Sequence, residues 1–406
     1  MRTALVIGAG IAGPVAAIAL QRAGITPTVY EAREGTADDA GAFLTLQVNG
    51  VDALRTLGIG HVVKGIGFAT PSMRFRSYTG KLLGEVSTGA ALPDGTVAVT
   101  LRRSDLYRAL RDEARRQGVT IEHGRRVVDV RSVPGGVRAE FTDGTTATAD
   151  LLVGADGIRS RVRQVIDPAA APARYVPVLN IGGYATAMEV DGIPGGYEMV
   201  FGKRAFFGYA KAPDGAAWWF ANPPQPHEPA PGELAAMTTE HWRTRLRELF
   251  AVDRTPACAI IDATPGELEA WATYDLPSVR RWHRDRMVLI GDAAHATSPA
   301  SGQGASMAIE DAVELGRCLR DLPEPDAAFA AYERLRRGRV EQVVADGARS
   351  SNMKAAGPVA RVLRDALLPI FLRRQGGKAA AWLHGHHIDW DAPVAPELSN
   401  GRATTT

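Results

Sequence analysis

The chain carries only two cysteines, Cys258 and Cys318, in 406 residues. They lie far apart and form neither a disulfide framework nor a metal-ligand pair, so the simplest reading is a reducing, cytoplasmic compartment. An excess of charge is also missing. Lysine plus arginine number 47 against 45 aspartate plus glutamate, which excludes the basic field that a nucleic-acid partner requires. No apolar run is long enough to span a bilayer, so no membrane segment is expected. The apolar stretch from Arg2 to Leu20 is not expected to be a leader either, because Gly8, Gly10 and Gly13 interrupt it. A G-x-S-x-G elbow and a P-loop are both absent, which leaves serine hydrolysis unsupported.

What is present is ample for an enzyme. The length exceeds what one core usually serves, and 45% hydrophobic with 23% charged residues is the balance of a folded globular chain. Thr3 to Ile7 reads as a strand, Ile11 to Ala23 as a helix and Pro27 to Glu31 as a second strand. Their turn, Gly8-Ala9-Gly10-Ile11-Ala12-Gly13, has the glycines that a tight turn, close approach to a pyrophosphate and close helix packing demand. Glu31, with Ala32 and Arg33 after it, stands where a carboxylate accepts hydrogen bonds from an adenosine ribose.

A helix is expected over Arg103 to Gln117 with Ser104 or Asp105 as its cap. Strands follow near Thr120 to Glu122, Val127 to Ser132, Val137 to Thr142 and Leu151 to Val153, the last entering Gly154-Ala155-Asp156-Gly157. From Tyr175 to Ala221 alternating aromatic and aliphatic residues read as an antiparallel sheet. A helix near Met237 to Phe250, a buried strand Met287 to Ile290 and helices from Ala305 onward complete the pattern.

The fold class is therefore α/β: a Rossmann-like dinucleotide domain from separated segments (1–70, 98–172, 280–320), an antiparallel-sheet substrate domain (71–97, 173–279), C-terminal helices (321–395) and a flexible tail (396–406). The densest segment runs from Arg286 through Gly291-Asp292, His295, Pro299 and Gly302-Gln303-Gly304 to Glu310-Asp311. A buried strand ends in a Gly-Asp corner, and two glycines open a helix whose amide end can face an electron-rich ligand.

Three strings in register, GAGIAG at Gly8 to Gly13, GADGIRSRVR at Gly154 to Arg163 and GDAAHATSPASGQG at Gly291 to Gly304, resemble the class A flavoprotein monooxygenases of the para-hydroxybenzoate hydroxylase type. The resemblance covers roughly residues 1 to 320. It implies FAD on Gly8, Gly10, Ala12, Gly13, Glu31, Ala32, Arg33, Arg103, Asp156, Gly157, Gly291 and Asp292. It also implies Pro299 and Gly302 at the reactive edge of the isoalloxazine, and the amides of Gly302, Gln303, Gly304 and Ala305 at its pyrimidine side. No acid or base is obligatory.

By the same resemblance, NAD(P)H reduces the flavin and O2 forms a C4a-hydroperoxide that hydroxylates or epoxidises a small aromatic or polyketide-like substrate, in a monomer or homodimer. The segment Gly41 to Asn49 departs from the family's Pro-Asn pair. Rival readings on this fold are a flavin-dependent reductase, a halogenase and a non-catalytic carrier of a lipid or protein. The Trp-x-Trp-x-Ile-Pro string of halogenases is not matched by Trp218-Trp219-Phe220.

Met199, Phe206, Tyr209 and Trp219 are the candidate substrate-pocket residues. His295 reads as a structural hydrogen-bonder, and Asp156 has a second reading as a helix cap. The cluster Trp382, His384, His386, His387 and Asp389 reads as a polar surface end rather than a metal site, since it has neither a helical i, i+4 pair nor cysteines. Arg280, Arg281, Arg284 and Arg286, like Arg334, Arg336, Arg337 and Arg339, read as solvated faces.

Overall fold

In the computed structural model, residues 2–35, 43–186, 188–354 and 357–394 are described. Gly41, Ala42 and the expected tail 396–406 lie outside them. A six-stranded sheet forms the centre, in the order His283–Arg284, Met287–Leu289, Leu151–Gly154, Arg2–Ile7, Ile25–Tyr30, Thr120–Glu122. Its pairs are parallel except the first. Parallel strands covered on both faces read as continuous aliphatic runs, and all four residues of Leu151–Gly154 are buried.

Small residues let the helices close on this sheet. A methyl added to Gly316 would stand 2.7 Å from the Ala19 Cβ, so the helices Ala12–Arg22 and Gly304–Asp321 touch almost backbone to backbone. A meander of Val127–Val133, Gly136–Phe141 and Thr146–Ala149 lies beside the sheet, and Phe141 stacks on Tyr30 at 4.7 Å. The helix Arg103–Arg116 has Arg102 as its N-cap without a side-chain bond, so neither Ser104 nor Asp105 plays the expected capping part.

The second sheet has seven strands, ordered Ala270–Asp275, Arg174–Ala185, Ala217–Asn222, Phe206–Lys211, Tyr197–Phe201, Ser72–Ser77, Leu82–Ser87. It is antiparallel apart from one parallel pair, Tyr197–Phe201 against Ser72–Ser77. That pair exists because the hairpin from 72 to 87 joins from a distant part of the chain and is not bound by a tight turn. Helices Thr239–Phe250 and Ala257–Asp262 cover one face of this sheet through Trp242, Leu246, Phe250, Ile260 and Ile261.

Two long helices follow, Pro325–Lys354 and Pro358–His384. The second runs along Leu82–Ser87, with Leu372 Cδ1 2.7 Å from where a Gly84 methyl would lie and the Arg364 guanidinium 4.1 Å from the Phe201 ring. Among the described residues, no helix is long and apolar enough to cross a membrane.

Candidate active site

Arg2–Ile7, Leu151–Gly154 and Met287–Leu289 are neighbours in the central sheet, so the strings that follow them emerge side by side at its carboxyl edge. This is where open parallel sheets bind ligands. Main-chain bonds stitch the strings together: Ala155 N–H donates to Ile7 O at 2.9 Å and Ile290 N–H to Gly154 O at 3.0 Å. Buried Arg163 donates from Nη1 to Ala293 O at 3.0 Å, tying the second string to the third.

Within the first loop, a methyl on Gly13 would sit 1.8 Å from Gly8 O, and one on Gly8, at φ +106°, 2.4 Å from Ala155 O. Gly10 faces open space. The loop is therefore tight on its protein side and bare on the side where a pyrophosphate would approach. Glu31 accepts from Ala9 N–H at 2.8 Å and from Arg33 N–H at 3.0 Å, which sets its carboxylate at the mouth of that loop with Ala32 between the two contacts.

Asp156 holds a helix end. Its carboxylate accepts from Arg161 N–H at 2.7 Å and Val162 N–H at 3.1 Å, at the start of Arg161–Ile166. Burial raises its pKa, and the bonds from Ser160 and these amides oppose that. Its backbone borders Gly8, and Gly157 follows at φ +76°, so this segment meets the loop through main chain. Gly291, at φ +58°, is packed between Ala12 and Ala308 and turns the chain so that Asp292 projects to the surface. The Asp292 carboxylate lies 4.0 Å from a Gly304 methyl position. Arg103 donates to Tyr107 Oη at 2.8 Å, and its pKa is raised by Tyr107 first and then, after the opposing effect of burial, by Asp292.

Pro299 is exposed in a short 3-10 turn, Pro299–Ser301, which ends at Gly302 with φ +62°. The helix Gly304–Asp321 begins directly after, with Gln303 as N-cap making no side-chain cap bond, and Ala305 among its first residues. Gln47 lies 3.5 Å from where a Gly302 methyl would be, and its buried Oε1 has no hydrogen-bond partner among the described residues. Helix amides without a side-chain cap and an orphaned buried oxygen around a left-handed glycine suit the polar edge of a flavin. The residues present fit that cofactor.

Behind this loop runs a buried ionic network. His295 Nε2 meets Asp311 Oδ2, which also accepts from Gly291 N–H at 2.9 Å. Arg336 Nε donates to Asp311 Oδ1 at 2.8 Å, and its Nη1 is 2.7 Å from Glu310 Oε2. Glu310 further accepts from Arg339 at 3.1 Å and from Asn49 Nδ2 at 2.6 Å. Burial would raise the Glu310 pKa, but Arg336 and Arg339 bring it down to about 2. Asp311 is held low against the same burial by His295 and Arg336.

The reading of Arg336 and Arg339 as a solvated face is therefore corrected: both turn inward because two adjacent acids in an apolar helix need counter-charge. The C-terminal histidine cluster is also more than a surface end. His384 faces Gln303 Nε2 at 3.1 Å, and His387 faces Asp52 at 2.5 Å. Among the described residues no group of three His, Cys, Asp or Glu could hold a metal ion.

The seven-stranded sheet carries an aromatic face. Register places Met73, Phe75, Tyr184, Tyr197, Met199, Phe206, Trp218 and Phe220 on one face. Phe43, at the start of the strand Phe43–Leu46 that leads to Gln47, packs into that face. Its ring lies 5.6 Å from Trp218, 6.1 Å from Tyr184 and 6.3 Å from Phe220. The Tyr184 hydroxyl bonds to none of the described residues, and burial pushes its pKa up to about 12.

Met199 and Phe206 thus stand on this aromatic face, where both cluster with Phe201 and Leu368. Tyr209 and Trp219 do not, and their assignment to the pocket is corrected: both belong to the core under the helices, where Trp219 Nε1 donates to Thr264 Oγ1 at 2.8 Å. Strand alternation makes this unavoidable, since Phe206 and Tyr209 differ by an odd number of residues. Trp218, Phe220, Tyr184 and Phe43, which meet on the aromatic face, carried only their aromatic character as a signal.

A family model described as an FAD binding domain matches residues 1–347. The FAD-dependent urate hydroxylase of Klebsiella pneumoniae is 32% identical over 349 residues, covering 84% of this chain and 87% of that protein. The aurachin C monooxygenase/isomerase of Stigmatella aurantiaca is 31% identical over 346 residues, with the same two shares of 84% and 87%. Klebsiella pneumoniae HpxO, solved in complex with FAD and uric acid, superimposes with a TM-score of 0.81 at 28% identity, over 95% of this chain and 96% of that one.

Proposed function

The chain belongs to the FAD-dependent aromatic monooxygenases, and on that premise we propose that it oxygenates an uncharged, planar aromatic substrate held between the Pro299–Gly304 loop and the aromatic face of the seven-stranded sheet. The observation that carries this is the composition of that face: Phe43, Tyr184, Trp218 and Phe220 converge there. A ring-lined wall favours stacking of a flat substrate, and the Arg102 guanidinium beside it is engaged by the Tyr184 and Trp218 rings at 4.9 and 5.8 Å.

FAD, when bound, supplies acceptance of hydride from NAD(P)H and activation of O2. The protein's own groups do the rest. Amides of Gly10, Ala12 and Gly13 would take the pyrophosphate, Glu31 the adenosine ribose, Arg103 the phosphates and Asp292 the ribityl chain, with Gly8, whose N–H donates to Tyr30 O at 2.8 Å, and Ala32, Arg33, Asp156, Gly157 and Gly291 shaping the cleft. Pro299 and Gly302 would border the reacting edge, and the amides of Gly304 and Ala305 would favour negative charge at the ring's polar side, while the Gln303 amide is held by Ser301 Oγ at 3.2 Å. Tyr184, kept protonated by burial, would donate a hydrogen bond to a substrate oxygen or nitrogen. The aromatic wall excludes water, which limits wasteful release of peroxide. The protein acts in the cytoplasm as a monomer or homodimer.

Candidate aromatics should stimulate NADH or NADPH oxidation by the purified yellow protein, with hydrogen peroxide measured alongside. Neutral polycyclic compounds should couple oxidation to product; benzoates alone doing so would overturn the substrate class.

A further inference from the structure

His384 ends the helix Pro358–His384, beyond the residues 1–347 that the FAD-binding family model matches. It nevertheless reaches three parts of the molecule. Its Nδ1 is 3.1 Å from Gln303 Nε2, and a methyl on Gly89 would lie 2.9 Å from its Cβ and 3.2 Å from Val48 Cγ2. The helix that carries it packs on the aromatic sheet through Leu368 and Leu372, and its final carbonyls, Trp382 O and Leu383 O, accept from Arg339 at 3.1 and 2.8 Å.

The direction of every hydrogen bond in this chain of groups follows from one end. Ionised Glu310 can only accept, so Asn49 must present its amide nitrogen, which donates at 2.6 Å. The same nitrogen donates to Gln303 Oε1 at 3.0 Å. Gln303 is thereby left with its amide nitrogen toward His384, and Nδ1 of the imidazole must accept. The ring is then neutral with its proton on Nε2. Burial and, after it, Arg339 lower the His384 pKa to about 4, in keeping with that state. Gln303 is completely buried and is the N-cap of the helix whose leading amides face the flavin position.

We propose that His384 is a positioning residue for the flavin, fixing the Gly302–Ala305 amides from behind by accepting the Gln303 side-chain hydrogen bond. It touches neither cofactor nor substrate. The inference rests on the reading that this loop faces FAD, and the two can fail separately: a wild-type protein that binds no FAD refutes the reading, whereas a wild-type protein that binds FAD and an indifferent His384 refute the inference.

The test uses the full-length holoenzyme and two variants. His384→Leu removes the acceptor and should weaken FAD binding about tenfold and shift the midpoint potential and visible spectrum of the bound flavin. His384→Gln can present a carbonyl oxygen to Gln303 and should restore all three. Wild-type FAD affinity and potential in His384→Leu, with only its melting temperature lowered, would mean a merely structural role and overturn the proposal; so would a folded His384→Gln that behaves like His384→Leu. Should His384→Leu not fold, nitrogen-15 NMR of the imidazoles in wild-type holoenzyme decides the matter, the His384 signal being assigned by its loss in His384→Gln. An unprotonated, hydrogen-bonded Nδ1 is expected, and a protonated Nδ1 overturns the proposal.

Discussion

The Nε of Arg336 donates to the Oδ1 of Asp311 at 2.8 Å with both side chains sealed from solvent. Asp311 is also the acceptor for Gly291 N–H and the partner of His295, so one carboxylate joins the Gly-Asp corner to the C-terminal helices. Arg336→Leu would leave Asp311 and Glu310 short of counter-charge in the interior and should cost about 3–5 kcal/mol of stability. Urea unfolding of the purified variant measures it; a loss below about 1 kcal/mol would show that Arg339 and His295 suffice.

Adjacent tryptophans should behave oppositely. Trp219→Ala empties a core position and should destabilise by about 3–5 kcal/mol, with turnover of the folded fraction near wild type. Trp218→Ala should leave the melting temperature close to wild type while raising KM or peroxide release. Thermal melts and coupled oxidation assays on both variants separate the two roles, and equal effects would reject the face assignment.

Asp292→Ala should weaken FAD retention by about 1.5–3 kcal/mol, the worth of a hydrogen bond to a charged acceptor. Equilibrium titration of apoprotein with FAD gives the number directly. A variant that holds FAD as tightly as wild type removes Asp292 from the ribityl contact.

Acid should act in two stages. Burial lowers the pKa of His384 and His386 to about 4, with Arg339 as a further cause at each. Glu310 facing His386 works in the opposite direction, while Arg336 and His387 add to the lowering. Both rings are thus neutral in the folded protein and take up protons first in the unfolded chain, so stability is full above about pH 6.5 and falls as the pH drops toward 4. Glu310, lowered to about 2, loses its contribution only below its unfolded value, from about pH 4.5 downward. Melting temperatures across this range should show a shallower upper slope in the double variant His384→Gln, His386→Gln and an unchanged lower one.

The dinucleotide cleft was legible because each of its strings is local: a strand end, a glycine turn and a helix start are contiguous in sequence. Gly8, Gly13, Asp292 and Gly302 therefore stood out before any tertiary contact was known. The aromatic face of the second sheet was not, because alternation divides Trp218 from Trp219 without saying which parity turns toward the covering helices; that depends on register with strands from elsewhere in the chain. Arg336 and Arg339 were hidden for a related reason. Their partners Glu310 and Asp311 lie on another helix, and the readable hint was the presence of two neighbouring acids between Ile309 and Ala312 in an otherwise apolar stretch.

The three parallel neighbours at the centre of the sheet, Arg2–Ile7, Leu151–Gly154 and Met287–Leu289, are drawn from the beginning, the middle and the last third of the chain. During synthesis the first glycine loop leaves the ribosome long before Leu151–Gly154 and Met287–Leu289, and the helix opened by Gly304 emerges after both. Loop-closure entropy must be overcome across those spans before the three strands meet, which makes for slow, high-contact-order folding. The cofactor has no finished cleft on a nascent chain, and it can only select molecules whose final third is already in place. Cellular yield of active protein should consequently track chaperone supply during that interval more closely than flavin supply.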